Sequence, residues 1–283
     1  MFKCKFANMY DNNIFSKFNI KPVAEDYFKV SNNVFCVADG VTRDNIRGEA
    51  VCYPETEEQA REWIKYYPNP SGAYRASKIC ADNFVSKIEK EDNISKEIVK
   101  KVIQEVNSDI LEINKDRNID YVKEDLYCCE AVGGKIVGNK LFCFSIGDCH
   151  ITALDKNFQV IFNTTNNHNQ FENYLNNIYI KTHKYDWNNR EDRIMVRRDY
   201  RNKPDKKYQG KDISFGALTG EKEAEYYIDV YEVDLKDVLY ICAYSDGCEP
   251  YFDDKEKMKQ IIQDPYKIAE KGKERTLIMY ERV

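Results

Sequence analysis

Three apolar runs in this chain end in an aspartate beside a glycine. They are Val34-Phe35-Cys36-Val37-Ala38-Asp39-Gly40, Leu141-Phe142-Cys143-Phe144-Ser145-Ile146-Gly147-Asp148, and Leu239-Tyr240-Ile241-Cys242-Ala243-Tyr244-Ser245-Asp246-Gly247. Each sets a carboxylate where a buried strand emerges, and the glycine lets backbone come close at that point. One such ending alone is an ordinary turn. If all three meet, the carboxylates share one site and repel one another unless a cation balances them. Hard oxygen ligands, with no thiol or imidazole nearby, select Mg²⁺ or Mn²⁺ over zinc.

Other chemistries fit the residues less well. The chain has ten cysteines, but no Cys-x-x-Cys pair, and Cys128-Cys129 are adjacent, which suits neither a zinc knuckle nor a bridge. Cys36, Cys143 and Cys242 sit inside apolar runs, where a cysteine acts as a small buried hydrophobe. They read as structural thiols of a reducing compartment. His150, His168 and His183 are too scattered for a histidine-rich metal site. Forty-three basic against 48 acidic residues, a net charge of −5, argue against general nucleic-acid binding. No run approaches the roughly 20 apolar residues that cross a bilayer, and no signal-peptide stretch follows Met1-Phe2-Lys3-Cys4-Lys5. The expectation is a soluble, cytoplasmic protein without membrane partners; the residues carry no signal for an oligomeric state.

Strands must deliver the three aspartates. Val34–Ala38, Ala131–Val137, Leu141–Ile146, Gln159–Phe162, Tyr226–Val233, Val238–Tyr244 and Thr276–Tyr280 are apolar, β-branched or aromatic runs bounded by turn residues. Gly138-Asn139 predicts an antiparallel hairpin over Ala131–Ile146, and Asp155-Lys156-Asn157 extends it into a meander. Tyr226–Val233 and Val238–Tyr244, joined by Asp234-Leu235-Lys236-Asp237, read as a second hairpin. Two long helices are predicted from three- and four-residue spacing. One carries Ala73, Ala76, Ile79, Cys80, Phe84 and Ile88; the other carries Ile98, Val102, Val106, Ile110 and Ile113, with Ser95 as N-cap. Shorter helices are expected over Glu55–Tyr66 and Lys255–Ile262. Strands and helices do not alternate, which favours one α+β domain over residues 1–283 with helices packed on antiparallel sheets. Residues 44–68 read as an insertion and 163–212 as a flap or loop subdomain. The latter holds Arg190, Arg193, Arg197, Arg198, Arg201, Lys203, Lys206 and Lys207, either a solvated face or an attractor of a phosphorylated or acidic partner.

At this point the order of motifs resembles the metal-dependent protein phosphatase 2C family, including its bacterial serine/threonine members. Glu25-Asp26, Val37-Ala38-Asp39-Gly40-Val41, Ile146-Gly147-Asp148, Tyr244-Ser245-Asp246-Gly247 and Arg275-Thr276-Leu277-Ile278 follow the family's succession, and Gly216-Ala217-Leu218-Thr219-Gly220 resembles a stretch of bacterial members. The resemblance runs from about Ile20 to the C-terminus. It implies a β-sandwich of two antiparallel sheets flanked by helices, with a site at one end for two Mn²⁺ or Mg²⁺ ions. By the same resemblance Asp39 bridges both ions, the Gly40 carbonyl and Glu25 serve the second, and Asp246 holds the first. Asp148 with Asp246 matches a weaker third site, and Asp26 supports Glu25. The implied activity is hydrolysis of phosphoserine and phosphothreonine on a phosphorylated protein substrate, in signalling, by a metal-activated water. His168 falls near the family's Asp-His segment; its own surroundings in sequence read as those of a surface histidine.

Two positions depart from the pattern. An arginine that holds the substrate phosphate is replaced by Lys21, which keeps the charge but loses the bidentate fork. A metal-binding aspartate expected three residues before Thr276 is replaced by Lys273, which cannot bind a metal while protonated. Glu274 substitutes for it only if the loop shifts, since strand parity directs it elsewhere. Three readings follow: an active Mg²⁺/Mn²⁺-dependent phosphatase, a catalytically weak or inactive phosphatase-like binding module, or an unrelated α+β domain with three accidental Asp-Gly turns.

Overall fold

The strand-forming runs are covered on both faces, and that decides the architecture. In the computed structural model, which describes residues 1–283 apart from 11–13, 21–23, 42–44, 47–48, 51–53, 123, 167, 180–189 and 269–273, the long strands form two five-stranded sheets. In chain order the strands are β1 (Phe2–Tyr10), β2 (Tyr27–Ser31), β3 (Val34–Gly40), β4 (Asn45–Ile46), β5 (Glu49–Ala50), β6 (Cys129–Val137) and β7 (Lys140–Ile146). They continue as β8 (His150–Leu154), β9 (Val160–Asn163), β10 (Lys207–Tyr208), β11 (Lys211–Asp212), β12 (Asp229–Asp234), β13 (Tyr240–Tyr244) and β14 (Arg275–Arg282). One sheet runs β1-β14-β13-β8-β9 and the other β12-β7-β6-β3-β2, with β4-β5 and β10-β11 as separate two-stranded ribbons. Every pairing within the large sheets is antiparallel.

Alternation along β3 shows how the layers are built. Phe35 and Val37 face the other sheet, meeting Ile151, Ala153, Ile241, Ala243, Ile278 and Tyr280 in one cluster. Val34, Cys36 and Ala38 point the other way, into a cluster to which α2 (Gly72–Glu89) and α3 (Lys96–Leu111) supply Ala76, Cys80, Phe84, Ile103 and Ile110, while the short helix α1 (Glu57–Ile64) contributes nothing to it. The outer face of the other sheet offers Cys242, Tyr244, Leu277 and Met279, and packs on Met258, Ile261 and Ile262 of the helix Lys255–Gln263. Each buried Leu, Ile or Phe contributes about 1.5–3 kcal/mol. The result is the α+β class, two antiparallel sheets between helices, that the sequence predicts. Ser71 and Ser95 cap α2 and α3, their hydroxyls accepting from Tyr74 N–H and Ile98 N–H.

The second hairpin is corrected. β12 pairs with β7 and β13 pairs with β8 and β14, so the two strands lie in different sheets. Leu235 is fully buried between the sheets and Val238 nearly so. Drawing that leucine inward turns the short link into a corner rather than a reversal. The meander is corrected likewise: after β7 the chain crosses to the other sheet at Gly147, and the Asp155 turn joins β8 to β9. Strands β1, β2 and β8, and the short ribbons β4-β5 and β10-β11, have no counterpart among the predicted ones.

Within 163–212 the described residues include the helices Asn169–Tyr174 and Arg190–Tyr200, with Phe171, Leu175, Val196 and Phe215 as a small core. Its cations are largely engaged with the fold. Arg201 is buried and its Nη2 lies 2.6 Å from Asp125 Oδ1; Arg197 reaches Asp125 at 3.8 Å, Arg198 pairs with Asp199 at 2.9 Å, and Lys207 with Asp212 at 3.2 Å. No described helix is long and apolar enough to cross a membrane.

Candidate metal centre

Strand register brings the carboxylates to one end of the sandwich. Ala38 pairs with Tyr27 and Ala131, so the end of β3 lies beside the starts of β2 and β6. Ala131 in turn pairs with Ile146 at the end of β7. On the facing sheet, Tyr244 at the end of β13 pairs with His150 and Leu277. Asp39, Asp148 and Asp246 therefore emerge together, joined by Glu25 and Asp26 ahead of β2 and Glu274 ahead of β14. Ligand atoms of Asp39, Asp148 and Cys149 all lie within 4.8 Å of one another.

A hydrogen-bond frame holds these segments. Ser245 and Thr276 each donate a hydroxyl to Asp26 Oδ2 at 2.8 Å, and Thr276 N–H donates to Ser245 Oγ at 3.0 Å. Glu274 Oε1 accepts from the backbone N–H of Glu25 at 2.7 Å and of Asp26 at 3.2 Å. Tyr67 donates its phenol to Glu25 Oε1. Arg275 Nε donates to the Gly247 carbonyl at 2.9 Å, and a Cβ on Gly247 would collide with the Glu274 carbonyl. The glycine after Asp246 is thus needed for close approach of the last strand.

Electrostatically the carboxyls of the cluster act on one another, on top of the effect of burial. Burial pushes the Asp39 carboxyl well up, and Asp26, Asp246, Asp148 and Glu274 push it further. Asp26 rises to about 6, through burial and the charge of Asp246, despite its two hydroxyl donors. Glu274 rises to about 9, again through burial and then the charge of Asp26. Asp148 rises through burial and the charges of Glu130 and Asp246. Asp26 Oδ1 is also buried with no hydrogen-bond partner among the described residues. Carboxylates held protonated by one another, with an orphaned oxygen among them, fit a site for hard divalent cations.

Two details depart from the sequence expectation. A thiol and an imidazole do stand nearby. Burial pushes the Cys149 thiol well up, so it stays protonated and is a poor ligand. His168 is not a surface residue: its side chain is 15% exposed, and Nε2 lies 3.0 Å from Glu130 Oε1 while Nδ1 lies 3.8 Å from Asp148 Oδ2. Asn166 Oδ1 accepts the His168 N–H at 2.7 Å, folding the segment inward, and Phe215 packs edge-on to the ring at 4.6 Å. Burial alone would lower the imidazole, but the Glu130 carboxylate raises it. Burial would likewise raise Glu130; the His168 charge and the Asp148 N–H at 2.8 Å bring it down.

Sequence reasoning missed Glu130, Tyr67, His150 and Glu249. Glu130 faces Asp39 across the β3–β6 register, and its signal was a lone carboxylate inside the apolar run Cys128–Ile136. His150 Nε2 lies 2.8 Å from Glu249 Oε1 beside the same turns. Gly40 closes β3 opposite Cys129. Lys21 and Lys273 lie outside the described residues.

No family model matches the chain, and no curated protein matches it by sequence. Solved structures do match it in fold. The serine/threonine phosphatase Stp1 from Staphylococcus aureus superposes with a TM-score of 0.60 at 13% identity, over 100% of this chain and 96% of that one. The Mycobacterium tuberculosis serine/threonine phosphatase PstP gives a TM-score of 0.58 at 12% identity, over 99% and 97%. A bacterial serine phosphatase gives 0.58 at 13% identity, over 99% and 96%. The PstP catalytic domain has also been solved in complex with two manganese ions, with a TM-score of 0.57 to this chain at 12% identity. The chain therefore shares the fold of bacterial, phosphatase 2C-type serine/threonine phosphatases along its whole length.

Proposed function

We propose that this protein hydrolyses phosphoserine and phosphothreonine on phosphorylated proteins with the help of Mn²⁺ or Mg²⁺. The observation that carries the reading is the meeting of Asp39, Asp148, Asp246, Glu25 and Glu274 at one end of a sandwich whose fold is that of such enzymes. In this reading Asp39, Glu25, the Gly40 carbonyl and Asp246 would hold the ions. Asp148 with Asp246 would hold a further, more weakly bound ion.

The chemistry that divalent ions supply in such a cluster is acidification of water toward neutral pH and neutralisation of charge on phosphoryl oxygens. The rest falls to the chain. Carboxylates gathered in this way raise one another's pKa, and a bound cation would relieve that repulsion. Ser245 and Thr276 hold Asp26, and through it the adjoining Glu25, in one orientation. Lys21 receives the substrate phosphate as a point charge. Cys149, whose sulfur lies beside Asp39 and Asp148, is held protonated by burial and is therefore a poor nucleophile toward phosphorus. A reducing, cytoplasmic setting is part of this reading, on the spacing of the cysteines in the sequence.

The test is hydrolysis of p-nitrophenyl phosphate and of a phosphopeptide by purified protein, with and without millimolar Mn²⁺. The expected result is Mn²⁺-dependent turnover that Asp39→Asn and Asp246→Asn abolish. A second reading, a phosphatase-like binding module of little or no activity, is favoured by Lys273 three residues before Thr276. Wild-type turnover no higher than that of the two variants at any Mn²⁺ concentration selects it.

A further inference from the structure

Glu25 is gripped from two sides by residues far from it in sequence. Its backbone N–H goes to Glu274 Oε1 at 2.7 Å, and its Oε1 accepts the phenol of Tyr67. Both side chains of the second contact are sequestered, Glu25 at 3% and Tyr67 at 7% exposure. Tyr67 comes from outside the packed layers. It follows α1, a short helix started by a reciprocal cap between Thr56 and Gln59. With Trp63 and Ile64, Tyr67 forms an apolar cluster separate from the main cores, the Trp63 ring stacking on it at 4.5 Å and 18°.

This arrangement fixes a carboxylate rather than filling space. A carboxylate has two oxygens with about four acceptor positions. The phenol takes Oε1 and thereby sets the rotation of the group, which decides where Oε2 points. The stacked indole stiffens the tyrosine, so the donor is pre-placed. Partners of this kind orient a ligand and tune its affinity for metal, and their loss typically costs about 10–100-fold in binding.

We propose that Tyr67 is a positioning residue of the metal centre, holding Glu25 in the rotamer that accepts a divalent ion. The segment that carries it, α1 and its flanks, is therefore part of the site. The inference rests on the reading of Glu25 as a ligand. In that role Glu25 would hold an ion with a carboxylate whose rotation the phenol sets.

Tyr67→Phe tests it, because the ring and its stack on Trp63 are retained while the donor is lost. Mn²⁺ binding is followed by the electron paramagnetic resonance signal of free ion, alongside the Mn²⁺ dependence of phosphopeptide hydrolysis. The expected outcome is about tenfold weaker binding of one Mn²⁺, with the half-saturating concentration for turnover raised equally and kcat restored at saturating ion. A general folding defect would lower kcat at every concentration and overturn the assignment. Glu25→Gln serves as reference. If it weakens binding and Tyr67→Phe leaves it at the wild-type value, the role of Tyr67 falls while the metal centre stands. If wild type binds no Mn²⁺, the metal centre itself falls and Tyr67 with it.

Discussion

Glu274 accepts the backbone N–H of Glu25 at 2.7 Å across 249 positions of sequence, and the same oxygen takes the next N–H, that of Asp26. One carboxyl group thus fastens the start of the last strand to the segment ahead of β2. Its acid form, favoured up to about pH 9 by burial and by the Asp26 charge, keeps an acceptor oxygen for both donors.

Glu274→Ala and Glu274→Gln separate the acceptor from the charge. The alanine leaves two backbone donors without a partner, and each buried unpaired donor costs about 1–3 kcal/mol. The glutamine keeps an acceptor and forfeits only the ability to ionise. In urea denaturation of the metal-free protein, Glu274→Ala should lose stability on that scale while Glu274→Gln loses much less. Equal losses would show that the two N–H bonds do not govern the role of Glu274 in stability.

The strand ends were legible in the sequence because each aspartate closes an apolar run that must be buried. The three runs ending at Asp39, Asp148 and Asp246 form β3, β7 and β13, and their registers bring those ends together. The helices were legible too, since the stripes of α2 and α3 have helical spacing and Ser95 announces the start of α3. What failed was the choice of partner. Asp234-Leu235-Lys236-Asp237 has the composition of a hairpin turn, and only the burial of Leu235 between the sheets makes it a corner. His168 misled for the same reason: polar neighbours suggested solvent, while Glu130 and Phe215, distant in sequence, enclose it. Tyr67 gave no local signal, because its partner is Glu25 and a tyrosine after a short helix has many ordinary uses.

Divalent ions should stabilise the native protein by relieving repulsion within the cluster. A ligand at 100 times its Kd adds about 2.7 kcal/mol. Differential scanning fluorimetry should show a melting temperature raised by millimolar Mn²⁺ and restored by EDTA. Asp39→Asn removes a carboxyl that burial and four neighbouring carboxylates raise, so its metal-free form should melt above the metal-free wild type, and its response to Mn²⁺ should be lost. A variant that melts lower without metal and still responds would contradict the electrostatic account.

The buried pair Arg201–Asp125 should be a separate source of stability, at 2.6 Å and away from the cluster. Burial alone would raise Asp125, but the charges of Arg201 and Arg197 and the Arg201 bond hold it below its ordinary value. Removing one partner strands the other, so Arg201→Ala should cost about 3–5 kcal/mol. The pH sign follows from the depressed value. The contribution is fully present above the unfolded carboxylate pKa of about 3.9 and is lost as pH falls through the lower folded value. The stability gap between wild type and Asp125→Asn should therefore narrow on acidification and not on raising pH from neutral. Denaturant melts at stepped pH measure it.

Gly147 makes the crossing from one sheet to the other, and it does so in the left-handed region at φ +82°. An L-residue there is strained by about 1–2 kcal/mol. A Cβ would also run into the carboxylate and the Cβ of Glu130, the residue that accepts the Asp148 N–H. Strain and collision act on the same two residues, so Gly147→Ala should both destabilise the protein and displace Asp148. The expected result is a loss of at least about 1–2 kcal/mol in urea, together with weaker binding of Mn²⁺. Gly138→Ala is the matching control: that glycine is also left-handed, at φ +60°, but open space surrounds its missing Cβ. It should lose stability from strain alone and keep wild-type Mn²⁺ affinity. If Gly147→Ala behaves as Gly138→Ala does, the contact with Glu130 has no part in shaping the site.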